Sequence, residues 1–181
     1  MKTALIVVDM LNDFVTGVLK CERASRIIPN IQRLLDFTRK KGIPVIYAND
    51  THLLGVDKEF EIWPPHAVVG TKGAEVIDEL KPVKGDYVVQ KRRYSAFYGT
   101  DLDLLLRELH VDTLMLVGLV TNVCIQHTAA DAFFRGYQII VPEDCVETLS
   151  EEAQKSGIEY LKMIYGCKIT NVHELMKRKL I

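Results

Sequence analysis

The chain contains 181 residues, of which 48% are hydrophobic and 26% charged, and its 23 basic and 24 acidic residues leave a formal net charge of −1. This length predicts a single domain over 1–181 that buries roughly 70% of its unfolded surface. The near-neutral charge argues against a nucleic-acid partner, because such proteins concentrate Lys and Arg against phosphate. The longest apolar runs, 4–8 and 114–120, are far shorter than the ~20 residues that span a bilayer. We therefore expect no membrane partner.

The N-terminal segment runs directly into a strand-like apolar stretch, and no small-residue cleavage site follows it. Secretory signals carry such a site, so a cytoplasmic protein is expected. The four cysteines are widely spaced and form no C-x-x-C pair. Cysteines in this arrangement, in a reducing compartment, are expected to be individual thiols rather than a disulfide framework.

Short β-branched runs alternate with helical patterns along the chain, which is typical of an α/β fold with a parallel sheet. We predict strands at 4–8, 44–49, 87–90, 113–117, 138–141 and 168–170, and helices at 26–41, 74–80, 101–109, 123–135, 151–165 and 172–178. Residues with N-cap or helix-ending character support these boundaries: Thr100, Ser150, Asn171, Gly42, Gly136 and Gly166.

One long segment, 51–73, has no strand or helix pattern and contains the run Trp63-Pro64-Pro65-His66. Long loops inside a compact domain are usually functional or disordered, and aromatic content disfavours disorder. We interpret this segment as a lid or wall of a binding site.

Chemically active residues follow the predicted strands at the edge where ligands bind in open α/β sheets. Asp9 follows the first strand, Asp50 and His52 follow the second, Lys91 follows the third, and Cys124 lies shortly after the fourth. Each has an ordinary structural alternative. Asp9 can cap a turn, Lys91 begins a basic run typical of solvated faces, and Cys124 can be a small buried hydrophobe.

The coincidence of residue types at this edge favours covalent catalysis. Cys124 lies in the first turn of its predicted helix, and a helix N-terminus beside a cation lowers a thiol pKa. We therefore expect Lys91 to favour the thiolate and Asp9 to act as general base and then general acid. Cys21, Cys145 and Cys167 lie outside this setting and are expected to be structural.

Three ordered sequence blocks carry a family resemblance over nearly the full length. They are 4–14 (ALIVVDMLNDF), 91–97 (KRRYSAF) and 118–124 (GLVTNVC), the last followed by 128–132 (TAADA). On these blocks the chain resembles the isochorismatase-like cysteine hydrolases, which include nicotinamidases, N-carbamoylsarcosine and ureidoacrylate amidohydrolases, and isochorismatase. The resemblance implies a doubly wound six-stranded parallel sheet with helices on both faces.

The resemblance also implies particular site residues. The catalytic triad would be Asp9, Lys91 and Cys124, the peptide bond between Leu119 and Val120 would be cis, and the backbone N–H groups of Val120 and Cys124 would form an oxyanion hole. A homo-oligomer is expected from the family as well.

A divalent metal, zinc or else iron or manganese, is the expected cofactor. Asp50, His52 and His66 offer one carboxylate and two imidazoles, a donor set suited to these ions. Without context such residues are more often ordinary polar loop residues. Nicotinamidases carry similar Asp-x-His and Trp-Pro-x-His motifs followed by Gly-Thr-x-Gly-Ala-Glu, and here 70–75 reads GTKGAE. The ion would orient the substrate through its pyridine nitrogen.

Nicotinamide hydrolysis is the leading prediction for the reaction. Phe14 and Trp63 would sandwich a flat ring, although large aromatics near a pocket are as often core residues. Thr16-Gly17-Val18-Leu19, Thr51 and Ala67 depart from the usual nicotinamidase pattern. A different small amide or carbamoyl substrate is therefore the alternative, followed by isochorismatase activity or a non-catalytic oligomeric module. His127 is expected to pack or to lie in an interface, and His110 and His173 receive no role.

Overall fold

The computed structural model describes residues 2–177, and within this range the strands form one parallel sheet of seven members. The strands are β1 (Thr3–Val8), β2 (Val45–Asp50), β3 (Tyr87–Lys91), β4 (Thr113–Leu119), β5 (Gln138–Pro142), β6 (Val146–Glu147) and β7 (Lys168–Thr170). Their order is β3-β2-β1-β4-β5-β7, and β6 pairs with the end of β4. The predicted parallel α/β fold is confirmed. The sheet has seven strands rather than six, because the two-residue β6 continues alongside β4 where the β5 pairing ends.

Six α-helices lie in the described part of the chain. They are α1 (Asn12–Val15), α2 (Ile28–Lys40), α3 (Leu102–Glu108), α4 (Gln126–Phe134), α5 (Glu151–Tyr165) and α6 (Val172–Lys177). Arg178, the predicted end of the last helix, lies outside the described residues. The N-terminus of α5 is capped as predicted, since Ser150 Oγ accepts a hydrogen bond from the Ala153 N–H at 3.2 Å. No helix among residues 2–177 has the length and apolar character needed to cross a membrane.

The predicted helix at 74–80 is wrong. Two short 3₁₀ turns, Lys72–Ala74 and Asp78–Leu80, stand in its place. Between them Val76 pairs with Leu11 in an antiparallel bridge, and the Ile77 N–H donates to the Met10 carbonyl at 3.0 Å. Backbone pairing with the segment after β1 therefore replaces the helical hydrogen bonds, a tertiary contact that overrides local propensity.

Both faces of the sheet are covered by helices. Alternate side chains of β1 point to opposite faces: Leu5 and Val7 belong to one buried cluster with residues of α2, whereas Ile6 and Val8 belong to a second with residues of α3, α4 and α5. The sheet is therefore doubly wound, with its core divided between two layers.

Strand order reverses between β1 and β4, and a glycine makes this junction close. The chain proceeds outward from β1 through β2 to β3 and returns to β4 on the other side of β1. At the end of both strands Val8 pairs with Gly118, which has a φ of +114°, and an added Cβ would lie 2.0 Å from the Val8 carbonyl oxygen. Open α/β sheets bind ligands beyond this reversal point.

Candidate active site

Three strand ends bring Asp9, Lys91 and Cys124 together in the interior. Asp9 follows β1, Lys91 ends β3, and Cys124 lies in the π-helical turn Thr121–Ile125 after β4. Lys91 Nζ lies 2.7 Å from Asp9 Oδ2 and 3.8 Å from Cys124 Sγ. All three residues are buried, and Lys91 has no exposed surface. The solvated-face alternative for Lys91 is therefore wrong: the strand carries it into the protein while the next two residues turn outward.

Backbone conformation fixes the Asp9 carboxylate. Asp9 has a φ of +53°, in the left-handed region that non-glycine residues rarely occupy. Its Oδ1 atom accepts a hydrogen bond from the Asp50 N–H at 2.8 Å, so Oδ2 remains directed at Lys91. Residues held in sparsely populated backbone regions cluster at functional sites, where the surrounding structure supports them.

Burial dominates the proton affinities of this group. It raises the pKa of Asp9 to about 6, with the neighbouring Asp50 carboxylate acting in the same direction and Lys91 opposing both. Burial also raises the pKa of Cys124, and Lys91 only partly offsets this effect. The predicted lowering of the Cys124 pKa is therefore wrong, because the effect of burial exceeds that of the neighbouring cation. The pKa of Lys91 itself is raised, since Asp50 and Asp9 together outweigh the opposing effect of burial.

Asp50, His52 and His66 converge beside this group. One ligand atom from each lies within 4.8 Å of the others. Asp50 Oδ2 is 3.6 Å from His52 Nε2, and His66 Nδ1 bonds to the Pro64 carbonyl at 2.7 Å, which leaves His66 Nε2 with its lone pair. His52 Nε2 is buried without a hydrogen-bond partner. An unpartnered buried imidazole nitrogen facing a carboxylate fits a bound divalent cation, because buried polar atoms are otherwise nearly always paired.

Glu59 is a site residue that sequence reasoning missed. Its Oε2 lies 3.6 Å from His52 Nε2, and its Oε1 is buried without a hydrogen-bond partner. Burial and the Asp50 charge raise its pKa. It lies in the 3₁₀ turn Lys58–Glu61, among charged residues whose spacing carries no signal for a donor. Asp50 and Glu59 both face His52 Nε2 at 3.6 Å, and a divalent cation at this position would offset their charge.

A cavity of about 480 Å³ opens onto both groups. Segment 51–73 forms part of its wall through Glu59, Trp63 and His66, as its predicted role requires. Phe14 also lines the cavity, with its ring 5.5 Å from that of His66. The Trp63 Nε1–H donates to Tyr94 Oη at 3.0 Å, which holds the indole against the opening. The remaining lining residues are Asp9, Val18, Leu19, Lys20, Asp50, Tyr94, Leu119, Val120, Asn122, Val123, Cys124 and Leu149.

The peptide bond between Leu119 and Val120 is cis, which confirms the expectation. Val120, directly before the turn Thr121–Ile125, and Cys124, within it, both line the cavity. Helix α5 packs closely here, since an added Cβ on Gly157 would lie 3.1 Å from Thr121 Cγ2. The turn is therefore fixed between the sheet and a helix.

The other three cysteines are buried free thiols. Burial raises the pKa of each, to about 12 for Cys167, and Cys21 Sγ donates to the Thr148 carbonyl at 3.4 Å. His127 is exposed on α4, bonds through Nδ1 to the Val123 carbonyl at 2.7 Å and packs against the Tyr94 ring. His110 and His173 are exposed and lie outside the cavity lining.

A family model for the isochorismatase domain matches residues 3–174 of this chain. The chain belongs to the isochorismatase family. Among solved structures it is similar to N-carbamoylsarcosine amidase from Thermoplasma acidophilum, with 42% identity, 95% of this chain and 97% of that chain covered, and a TM-score of 0.89. It is also similar to nicotinamidase/pyrazinamidase from Bacillus subtilis, with 36% identity, coverages of 94% and 100%, and a TM-score of 0.90.

A third similar structure contains a metal. Pyrazinamidase from Pyrococcus horikoshii, solved in complex with zinc, is 29% identical over 94% of this chain and 99% of that chain, with a TM-score of 0.87. These relatives are hydrolases of amide C–N bonds, and this chain is an enzyme of that class.

Proposed function

We propose that this protein is a cysteine amidase that hydrolyses a small neutral carboxamide, with nicotinamide, converted to nicotinate and ammonia, as the leading substrate. The observation that carries the proposal is the position of the Cys124 thiol. It lines a cavity that is also lined by Asp9, by the metal donors Asp50 and His66 and by two aromatic rings. Lys91 Nζ lies 3.8 Å from its sulfur. A nucleophile with an adjacent base and a cation defines acyl transfer.

In the acylation half, the Asp9 carboxylate takes the proton of the Cys124 thiol while the sulfur attacks the amide carbon. A base with a pKa of about 6 is ionised at neutral pH and still basic enough to accept this proton. Lys91 remains protonated and stabilises the negative charge that moves from Asp9 to sulfur. Backbone N–H groups of Val120 and Cys124 hold the oxyanion. Asp9 then returns the proton to the leaving nitrogen, so ammonia departs and a thioester remains.

In the deacylation half, water replaces ammonia. Asp9 takes one water proton as the oxygen attacks the thioester carbon. The C–S bond then breaks, and the proton passes to the Cys124 sulfur. The net reaction consumes one amide and one water and yields one acid and one ammonia, with the enzyme unchanged.

Asp50, His52 and His66 would hold a zinc ion, with Glu59 as a further donor. The ion would supply a Lewis-acidic centre for the lone pair of a heteroaromatic ring nitrogen, which orients the carboxamide. Phe14 and Trp63 line the same cavity and would contact the faces of that ring.

The charge of the cavity favours a neutral substrate. Asp9, Asp50 and Glu59 line it, and Lys20, the one lysine among the described lining residues, already pairs with Glu22 at 2.8 Å. N-carbamoylsarcosine and ureidoacrylate each carry a carboxylate, whereas Lys91 is already engaged by Asp9 and Asp50 at 2.7 Å and Lys20 by Glu22. Lys20 is also the observation that keeps an anionic N-carbamoyl substrate as the second candidate, because its ammonium lies at the cavity edge where such a carboxylate would bind.

Ammonia release from nicotinamide, pyrazinamide, N-carbamoylsarcosine and ureidoacrylate tests the proposal. We expect the highest kcat/KM for nicotinamide, and we expect Cys124→Ala to lower it at least ~10³-fold. Preference for the two anionic substrates, lost in Lys20→Gln, would favour the second candidate. Undiminished activity in Cys124→Ala would exclude the mechanism.

A further inference from the structure

Arg92 and Asp57 lie beside the metal-donor set, yet neither is one of its donors. Arg92 follows the buried Lys91. Its Nε donates to Asp57 Oδ1 at 2.9 Å and to Oδ2 at 3.2 Å, and its Nη2 also donates to Oδ1. Asp57 is 4% exposed, and its carboxylate is completely buried. A buried carboxylate needs such pairing to remain ionised.

The same carboxylate orients His52. Asp57 Oδ2 lies 3.0 Å from His52 Nδ1 and accepts the Leu53 N–H at 2.9 Å. Since an ionised carboxylate only accepts hydrogen bonds, Nδ1 carries a hydrogen, and in the neutral imidazole that can bind a cation Nε2 keeps its lone pair. That nitrogen is the buried, unpartnered atom that faces Asp50 and Glu59, each at 3.6 Å.

We propose that Asp57, held by Arg92, is a positioning residue that fixes the tautomer and ring orientation of His52 so that Nε2 is presented to a divalent cation. Carboxylates that accept the second N–H of a metal-binding histidine commonly set its orientation and ligand strength. The inference rests on the metal set of the proposed function. Within the basic run, Lys91 contacts Asp9, Cys124 and Asp50, whereas Arg92 acts on the metal set only through Asp57.

An asparagine at this position separates positioning from a purely structural role. Asparagine replaces one carboxylate oxygen with an NH2 donor and removes the charge, so it cannot keep both the Oδ1 contacts with Arg92 and the Oδ2 contact with the His52 Nδ1–H. Asp86 provides a matched control, because it accepts from Arg39 Nη2 at 2.6 Å and from the Val83 N–H at 2.9 Å, at the opposite end of β3. Asp86→Asn therefore removes the same kind of carboxylate–arginine pair without touching a histidine.

Zinc affinity, measured by competition with a chromogenic chelator, tests the inference on the intact chain. We expect Asp57→Asn to bind Zn²⁺ about 10–100-fold more weakly than the wild type and to change the visible absorption bands of bound Co²⁺. Asp86→Asn should retain both properties. Iodoacetamide labelling of Cys124 in the metal-free proteins should proceed equally in all three, which shows that the thiol site is intact.

Wild-type zinc affinity and an unchanged Co²⁺ spectrum in Asp57→Asn would overturn the inference while leaving the proposed amidase in place. Absence of zinc binding by the wild type would overturn the metal set and this inference together. If Asp57→Asn does not fold, Arg92→Gln replaces it. In that variant the Asp57 carboxylate beside His52 loses its hydrogen bonds from Arg92, so zinc should bind at least several-fold more weakly. Unchanged zinc affinity would again overturn the inference.

Discussion

Asp50 and Lys91, opposite each other in the register of β2 and β3, connect the thiol group to the metal-donor set. Lys91 Nζ lies 2.7 Å from Asp50 Oδ1, and the other Asp50 oxygen faces His52 Nε2 at 3.6 Å. Lys91 also lies 2.7 Å from Asp9. One buried ammonium thus pairs with two buried carboxylates. A cation bound beside His52 would therefore weaken the Asp50–Lys91 attraction and change the electrostatic environment of Asp9.

The acid limb of the pH profile should report Asp9. Burial raises its pKa to about 6, so the proton is retained to a higher pH than in an exposed aspartate, and the base form is lost as the pH falls through 6. We expect kcat/KM to fall about tenfold per pH unit below this value. Asp9→Asn should lower kcat/KM about 10²–10⁴-fold and abolish that limb. A limb near pH 4 in the wild type would contradict the assignment.

Removal of the Lys91 charge should destabilise the fold as well as abolish activity. Lys91→Met leaves Asp9 and Asp50 buried without their shared cation, so the free energy of unfolding at pH 8 should fall by about 3–5 kcal/mol. Urea denaturation followed by circular dichroism measures this change. Lys81→Met is the control, because Lys81 forms an exposed ion pair with Asp78 at 2.7 Å and exposed ion pairs contribute little to the free energy of unfolding. A similar decrease in the free energy of unfolding in both variants would contradict the argument that burial makes the Lys91 charge important for stability.

Gly118→Ala should disturb the junction between β1 and β4. The new Cβ would lie 2.0 Å from the Val8 carbonyl oxygen, at a φ of +114°, so we expect a loss of about 3 kcal/mol or more in unfolding free energy. Gly42→Ala has a φ of +67° but no atom within 4 Å of the new Cβ, and its cost should be only about 1 kcal/mol. Equal thermal denaturation midpoints for the two variants would show that backbone conformation, not close approach, sets the cost.

Metal removal should abolish turnover without removing the thiol. Dialysis against a chelator, or the His66→Ala substitution, should lower kcat/KM for nicotinamide by at least ~10²-fold, because the ring nitrogen loses its anchor and the amide is misplaced. Zinc added back should restore the chelated wild type and not His66→Ala. His127→Ala, an exposed histidine on α4, should retain full activity and metal content. Full activity of a metal-free wild type would exclude a role for the ion in this reaction.

The sequence predicted the sheet well because its central strands are apolar nearly throughout and lie between turn signals. The failures have a common physical cause. Residues 74–80 have helical character, yet Val76 and Ile77 pair with the backbone after β1, and no local pattern reports a partner more than sixty residues away. The two-residue β6 is too short to produce a pattern at all.

The predicted clustering of Asp9, Lys91 and Cys124 is observed, because strand ends fix the positions of these side chains; their catalytic roles remain predictions. The sequence did not identify Glu59 and Asp57 as site residues, because the conformation of a loop places them beside His52. It also predicted the wrong direction for the Cys124 pKa shift. The sequence reveals the favourable cation and helix terminus, but the opposing cost of burial depends on how completely the surrounding chain excludes water.

Strand β3 forms one edge of the sheet and is supported by a neighbouring strand on a single side. Edge strands are among the first elements to fray, and a slip of one residue would turn Lys91 to the opposite face. Both charged groups that β3 delivers, Lys91 and Arg92, would then leave their partners together. Activity should therefore disappear at denaturant concentrations that leave the central strands folded. Inactivation would then result from local unfolding of β3, not from unfolding of the whole domain.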